Sequence, residues 1–327
     1  MLGLPFTEDD GGVEAGPVEI GLVCRELGRV LAPEPFLASV VHAGGLVAVA
    51  GSSEQRADLL GRLAAGEIVL AAADTSPGGR WSSAAEGVTA ASDGDAWTLT
   101  GVRDPVPNGA RADHIVVSAS LPSGGTGLFV VDGADATRTD YAVFDGSRAA
   151  RVELAETPAV PLGEPGLDLS STIATISDIT RIMGANRALG VMQARVAATN
   201  NYLMSRKQFG VTLNTFRALT FRAADMYVSL ELAHSPVDWA TMVVASGSRA
   251  DIADAADRVG LQIARAGKHI GQDAIQLHGG IAMTAEYSVG VGTAHLAVLE
   301  QWLGGAQHHL TGLAARVADH GEIDALA

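Results

Sequence analysis

A single cysteine, Cys24, among 327 residues leaves no partner for an intrachain disulfide. An oxidised framework is excluded and a cytoplasmic setting is expected. In its apolar helical surroundings Cys24 reads as a buried small residue. Basic residues are also few. Against 37 Asp and Glu stand 22 Lys and Arg, a net charge of −15. A nucleic-acid partner is excluded on that balance, because a phosphate backbone requires a basic face. Small phosphorylated ligands stay open, since they need only a few local Arg, Lys or amide donors. No apolar run reaches the length of a membrane span. The N-terminus lacks the basic start and apolar stretch of a signal peptide. No low-complexity tract or short-period repeat is evident. Charged residues make up only 18% and hydrophobic ones 47%. Over this length that balance fits two or three well-buried domains, with surface left for a large subunit interface.

Three textures follow one another, which together imply an α+β fold. Residues 1–66 read as a helical N-terminal domain. Ile20, Val23, Leu27, Val30 and Leu31 recur at helical spacing, Gly28 and Pro33 punctuate the segment, and a second helix covers about Ser53 to Ala65. Residues 67–165 carry short β-prone runs at 68–70, 97–100, 114–117, 128–131 and 151–154, separated by Gly, Asp, Asn and Pro. A small antiparallel barrel or sandwich is expected there, ending at Pro158, Pro161 and Pro165. Residues 166–327 are helical again. One stripe runs from Ile179 to Leu203; further helices are expected at about 215–233, 246–277 and 291–317, forming a four-helix bundle.

Two segments of the helical part carry the chemistry. Arg206-Lys207-Gln208-Phe209-Gly210 stands at a helix end, and Gln276-Leu277-His278-Gly279-Gly280 follows 70 residues later. A guanidinium offers a pyrophosphate paired, charge-assisted hydrogen bonds from a fixed fork. A phenylalanine packs on an aromatic ring, and paired glycines let backbone amides approach a ligand. Each segment also has a bland reading: a solvated Arg and a core Phe at a helix end, and Gly-Gly as a C-cap. Phe216 and Ala223-Ala224-Asp225-Met226 follow the first segment, and Thr284-Ala285-Glu286-Tyr287 follows the second. This succession resembles the flavin-binding half of acyl-CoA dehydrogenases. Glu26-Leu27-Gly28-Arg29 and Asn108-Gly109-Ala110-Arg111-Ala112-Asp113 are similar to earlier segments of the same family. The order of helices, β domain and helical bundle is also the family's order, with about 50 residues fewer at the start.

The resemblance implies FAD as cofactor. It assigns Arg206, Phe209, Gln276, Gly279, Gly280 and Gln307 to a clasp on the adenine end of FAD at a dimer interface. It places Asp178 and Arg181, a D-x-x-R pair three residues apart, near the CoA nucleotide and the acyl pocket. Read from the residues alone, a surface ion pair fits them equally well.

Departures from the family pattern are concentrated at the reacting end. Active members carry T-E-P-x-x-G-S-D and W-I-[ST]-N, which touch the flavin ring. This chain has Asp74-Thr75-Ser76-Pro77-Gly78-Gly79 and Asp104-Pro105-Val106-Pro107-Asn108. Pro105 and Pro107 replace the aromatic ring and the hydroxyl, and proline lacks the backbone donor as well. The family's basic glutamate precedes Gly304, where Leu303 stands. Its alternative place, beside Arg181, holds Thr180. α,β-Dehydrogenation needs a carboxylate to take the α-proton, so no catalytic base is assigned to this chain. Glu300, one turn before Leu303, is either a displaced base or a solvated helix residue. His308-His309 lacks a carboxylate or cysteine at ligand spacing, so no metal is expected. No Ser/His/Asp arrangement has motif support.

These features resemble the base-lacking subunits of bacterial α2β2 dehydrogenases that act on steroid-derived CoA thioesters. The resemblance implies an acyl-CoA substrate, a homologous subunit supplying the base, and an electron-transfer flavoprotein or similar acceptor. Two alternatives stay open: a self-sufficient homomer using Glu300, and a flavin-free structural subunit.

Overall fold

The computed structural model describes residues 1–78, 82, 85–284 and 286–321. Gly79 and Ala285, each part of a motif segment quoted above, lie outside the described residues. By contact the chain forms two compact units. One joins Met1–Ile20 to Pro33–Thr180, and the other joins Gly21–Ala32 to the residues from Arg181 onward. The expected boundaries at 66 and 165 separate textures, while the units divide inside two helices.

The first unit opens with helix α1, Pro17–Arg29, whose later part belongs to the second unit. A π-helical turn, Phe36–Gly44, buries all nine of its residues and leads into α2, Gly45–Ala50. Helix α3, Ser53–Ala65, matches the expected span. Its start is set by a capping box: Ser52 Oγ accepts from the Gln55 amide and Gln55 Oε1 accepts from the Ser52 amide. Its stop is Gly66 at φ 76°.

Among the described residues seven strands follow: β1 Leu70–Ala73, β2 Val88–Asp93, β3 Ala96–Pro107, β4 His114–Ser120, β5 Thr126–Asp132, β6 Thr137–Ala142 and β7 Arg148–Pro161. Their order is β1-β4-β2-β3-β7-β5, with β5 pairing back onto β4, so five strands close a ring; β6 adds to β7. Val88, Leu99, Ile115, Val117, Phe129 and Val152 fill the interior. The barrel is mixed and not antiparallel throughout, which corrects the sequence expectation. β1 runs parallel to β4 from Leu70↔His114 to Ala73↔Val117. Some forty residues, including the β2–β3 hairpin, intervene between those strands, enough for the crossover that parallel pairing needs.

Helix α4, Ser170–Ser205, starts in the first unit, passes into the second at Arg181, and begins nine residues before the apolar stripe does. Asp168 fixes that start by accepting from the Ser170 amide at 3.0 Å. Helix α5, Arg217–Ser246, overruns its expected end at 233 and passes through Pro236. Burial of Met226, Leu230, Ala233, Val237 and Ala240 along one face outweighs the hydrogen bond that proline removes. Helix α6 spans Arg249–His278. The single last helix expected over 291–317 is two helices, α7 Ser288–Leu303 and α8 Ala306–Ala315. The break is at Gly304, φ 109°, a backbone conformation no helix contains. Among the described residues no helix is long and apolar enough to cross a membrane.

Candidate functional site

Arg206 follows the end of α4, and its amide donates to Tyr202 O at 2.8 Å. Lys207–Gln208 and Val211–Thr212 then pair as a two-strand hairpin, β8 and β9. Phe209 and Gly210 form its turn at φ 53° and 81°. A left-handed backbone is unfavourable for a phenylalanine. Phe209 is 92% exposed and its ring meets that of Phe216 edge-on, centroids 6.2 Å apart. The Phe in the core that the bland reading requires is not what the fold builds. Gln276 lies exposed on the last turn of α6. Gly279 ends that helix at φ 70°, which accounts for its being glycine. Gly280 has no positive φ, and a Cβ added there meets nothing within 4 Å. Among the described residues nothing demands glycine at 280.

His278 joins the two segments. Its Nδ1 donates to Ala274 O at 2.8 Å, and its ring stacks on Tyr202 at 4.4 Å and Tyr287 at 5.3 Å. Burial lowers its pKa, outweighing the hydrogen bond to Ala274 O that raises it, and the nearby Arg195 charge lowers it further. Residues of α4, α6 and the start of α7 thus meet at one end of the helical unit, with Arg206, Phe209, Gln276 and Gly280 all exposed there. Gln307 stands instead on the first turn of α8, where its amide faces Thr311 Oγ1 on the same helix at 3.5 Å.

Arg181, Glu300 and Leu303 come together on a cavity of about 310 Å³ within the helical unit. Its walls are Gly184, Ala185 and Ala188 of α4, Gly260, Ala264 and Gly267 of α6, and Leu296 and Ala297 of α7. Arg181 Nε donates to Leu303 O at 3.0 Å, tying a cation to the C-terminus of α7. The Leu303 side chain lies over Gly184, where a Cβ would be 2.1 Å from Leu303 Cδ1. The base position of the resemblance is therefore filled by packed hydrocarbon. Asp178 lies on α4 as well, three residues before Arg181.

In the β unit, beside the segments expected to contact a flavin ring, lies a buried guanidinium that sequence reading missed. Arg103 of β3 is fully buried. It donates to Ser76 Oγ at 2.6 Å, Glu86 O at 2.9 Å and Ser118 Oγ at 3.0 Å. Burial pushes its pKa down to about 10 against the pull of Asp74. Asp74 pairs with His42 at 3.1 Å. Burial raises the Asp74 carboxyl, but His42 and Arg103 outweigh it and hold it at about 2. One signal was available: an arginine amid the apolar positions of a strand must find partners when buried.

A second missed group surrounds His309. No carboxylate was expected near His308-His309, yet Asp257 of α6 reaches them, and the three side chains offer ligand atoms within 4.8 Å of one another. This corrects the argument from local spacing. His309 Nδ1 donates to Asp257 Oδ1 at 2.9 Å, and Arg316 donates to Asp257 Oδ2 at 2.5 Å. Burial raises the Asp257 pKa, but these two donors turn the net shift downward. Arg316 already brings the positive charge a metal ion would supply, and the two would repel. Ser229, His269 and Asp273 also align across α5 and α6, at 2.7 and 3.5 Å. Arg222 holds the same Asp273 at 2.7 Å, and none of the three lines the cavity.

Two family models match the chain: acyl-CoA dehydrogenase, N-terminal domain, over residues 1–67, and acyl-CoA dehydrogenase, C-terminal domain, over 171–318. The short-chain specific acyl-CoA dehydrogenase of Sus scrofa is 28% identical over 287 residues, 82% of this chain and 66% of that protein. The human counterpart is 28% identical over 88% of this chain and 72% of its own length. The chain thus spans about two thirds to three quarters of these relatives. Among solved structures, the steroid ACAD Tcur3481-Tcur3483, a variant, is 31% identical with a TM-score of 0.87, covering 98% of this chain and 86% of that one. The ChsE4-ChsE5 complex from Mycobacterium tuberculosis is 26% identical with a TM-score of 0.87, covering 97% and 85%. FAD is the cofactor of the family that these matches share. On the two family models and the 31% identity across nearly its whole length, this chain belongs to the acyl-CoA dehydrogenase family.

Proposed function

We propose that this chain is the base-lacking subunit of a heteromeric, FAD-dependent acyl-CoA dehydrogenase whose substrate is a bulky, steroid-derived CoA thioester. One contrast carries the reading. The adenine-end positions Arg206, Phe209, Gln276 and Gly280 are exposed at the end of the helices where His278 packs on Tyr202 and Tyr287, while Leu303 stands at the base position and Pro105 and Pro107 at the ring positions. The residues present therefore fit one end of FAD and not the other. Arg206 holds the pyrophosphate, Phe209 packs on an aromatic ring of the cofactor, and Gln276 with the backbone at Gly279 and Gly280 closes the clasp. Gln307 is the remaining contact carried by the resemblance. Asp178 and Arg181 serve the CoA thioester. The chemistry FAD supplies when bound is acceptance of the hydride leaving the β-carbon. Leucine accepts no proton, so the α-proton goes to a carboxylate of the homologous subunit. An electron-transfer flavoprotein or similar carrier takes the electrons onward, in the cytoplasm. The steroid class rests on the names of the solved neighbours and on the breadth of the small-residue cavity.

A self-sufficient homomer has one observation in its favour: Glu300 lines the same cavity as Leu303. Purification alone and after co-expression with a homologous subunit separates the readings. The chain alone is expected to be colourless and inactive on acyl-CoA thioesters, with flavin absorbance and turnover appearing only in the complex. Robust turnover by the homomer would replace this reading with the Glu300 one. Absence of flavin even in the complex would leave a structural subunit.

A further inference from the structure

We propose that His278 is the positioning residue of the adenine-end clasp, holding Arg206 in register with the Gly279–Gly280 backbone and letting FAD go when the imidazole takes up a proton. The inference rests on the flavin reading above and adds how that site is held and released. Three rings meet where three helices end. Tyr202 is on the last turn of α4, His278 is the last residue of α6, and Tyr287 immediately precedes α7. The imidazole packs on both phenols, at 4.4 Å from Tyr202 and 5.3 Å from Tyr287. The clasp residues leave the helices at these points. Tyr202 O accepts from the Arg206 amide at 2.8 Å, and Gly279 follows His278 directly, its amide bonded to Ile275 O. Among the described residues the side chains of Arg206 and Gln276 make no hydrogen bond or ion pair, so the clasp has no direct tie of its own. The ring contact between Tyr202 and His278 sets the place of one half against the other.

The same ring is placed to open the contact. His278 is 4% exposed, and its Nδ1 donates to Ala274 O at 2.8 Å, which leaves Nε2 as the bare nitrogen of the neutral form. Nε2 is buried and makes no well-formed hydrogen bond. The charged and titratable groups facing the ring are Arg195 and Tyr202 of α4 and Tyr287 ahead of α7. Burial and the Arg195 charge oppose protonation, and the carbonyls of Ala274 and Ala198 favour it less. The carboxylates closest in sequence do not offset this: Asp273 is held by Arg222, and Glu286 is exposed. A proton at Nε2 thus places a second cation beside buried Arg195. Swinging the imidazole into water relieves that, and it parts the end of α4 from the end of α6. The closed clasp keeps the ring neutral to lower pH than water does. FAD affinity is therefore full above the ordinary imidazole value of about 6.5 and falls as pH drops below it.

The test follows FAD dissociation from the co-expressed complex by flavin fluorescence, at about pH 7.5 and about pH 5.5, on either side of the ordinary imidazole value. An imidazole freed into water takes up its proton across that interval, so binding should weaken by about threefold to tenfold. His278→Phe keeps an aromatic ring on Tyr202 and Tyr287 but takes no proton. It should hold FAD at the higher pH to within about twofold of the unsubstituted complex and show no decline at the lower. His278→Ala and Tyr202→Leu each remove the ring contact and should weaken FAD about fivefold or more at the higher pH. A flat pH profile in the unsubstituted complex, an equal decline in His278→Phe, or full retention of FAD by both His278→Ala and Tyr202→Leu would overturn this inference and leave the flavin reading standing. Absence of flavin from the complex at both pH values would overturn that reading and this inference with it. Circular dichroism and light scattering at each pH establish that the variants are folded and assembled. If the His278 variants are not, the unsubstituted profile and Tyr202→Leu decide the outcome.

Discussion

Gly280 and Phe209 are odd residues for opposite reasons. Glycine at 280 has no steric or backbone cause among the described residues, and phenylalanine at 209 accepts an unfavourable φ of 53° and is 92% exposed. Both would be accounted for by the FAD clasp proposed above, whose charged member is Arg206. Arg206→Ala is expected to weaken FAD retention by the assembled enzyme about tenfold or more, the scale of a lost charge-assisted hydrogen bond. Helical content should stay unchanged by circular dichroism; wild-type flavin occupancy would remove Arg206 from the clasp. In the β unit the residue to test is Asp74. Its carboxyl titrates near 2 in the folded chain, below the ordinary value of about 3.9. The stabilisation is fully present above about pH 4 and is lost as pH falls through about 2, because the unfolded chain takes up the proton first. Asp74→Asn should therefore lose about 2 kcal/mol at neutral pH and show a flatter decline between pH 4 and 2, as read by urea titration at each pH. At this scale the sequence disclosed what is local. Arg206, Phe209 and Leu303 stand in recognisable runs. Arg103 with Asp74, and His309 with Asp257, are pairs made by folding across 29 and 52 residues, which no local spacing could reveal.

Close contact between α1 and α4 explains why part of an N-terminal helix belongs to the helical unit. Added Cβ atoms at Gly28 and Gly190 would lie 2.0 Å from Arg187 O and 1.9 Å from Arg25 O. The obstructing atoms are backbone, so neither helix can yield by a rotamer change. Arg187 closes the contact from the side by donating to Ala32 O at 2.8 Å. Gly190→Ala gains about 1 kcal/mol in helix propensity and incurs overpacking at or above the upper end of roughly 1–3 kcal/mol. A net loss of about 2 kcal/mol or more is expected in the urea midpoint. A gain in stability would mean that the crossing is looser than the glycines imply. The sequence showed α3 to within a residue because its capping box and Gly66 are local signals. It hid the run of α5 through Pro236, where tertiary burial overrides propensity. The break between α7 and α8 was written in Gly304-Gly305, but the apolar period on both sides concealed it.

For the molecule as a whole, the proposed half-site makes a single argument about assembly. Decay of a disused enzyme would erode both alike; a chain that still completes a site elsewhere keeps the part it contributes. Helix α5 supplies a face for such assembly. Phe221, Val228, Leu232, Trp239 and Met242, 41% to 66% exposed, follow one another at spacings of seven, four, seven and three residues. That is an apolar seam along one side of a helix, larger than scattered surface residues would give. The expected product with a homologous subunit is a dimer of heterodimers holding about one FAD per pair of chains. Light scattering gives its mass and flavin absorbance its stoichiometry. Leu232→Lys combined with Trp239→Lys should lower the mass and release flavin together, since two charges in a desolvated seam oppose closure, while the helical signal of the chain persists. Flavin at one per chain would refute the half-site arrangement. So would a variant that keeps its FAD after the seam is broken, because the clasp residues of this chain would then be acting without a partner.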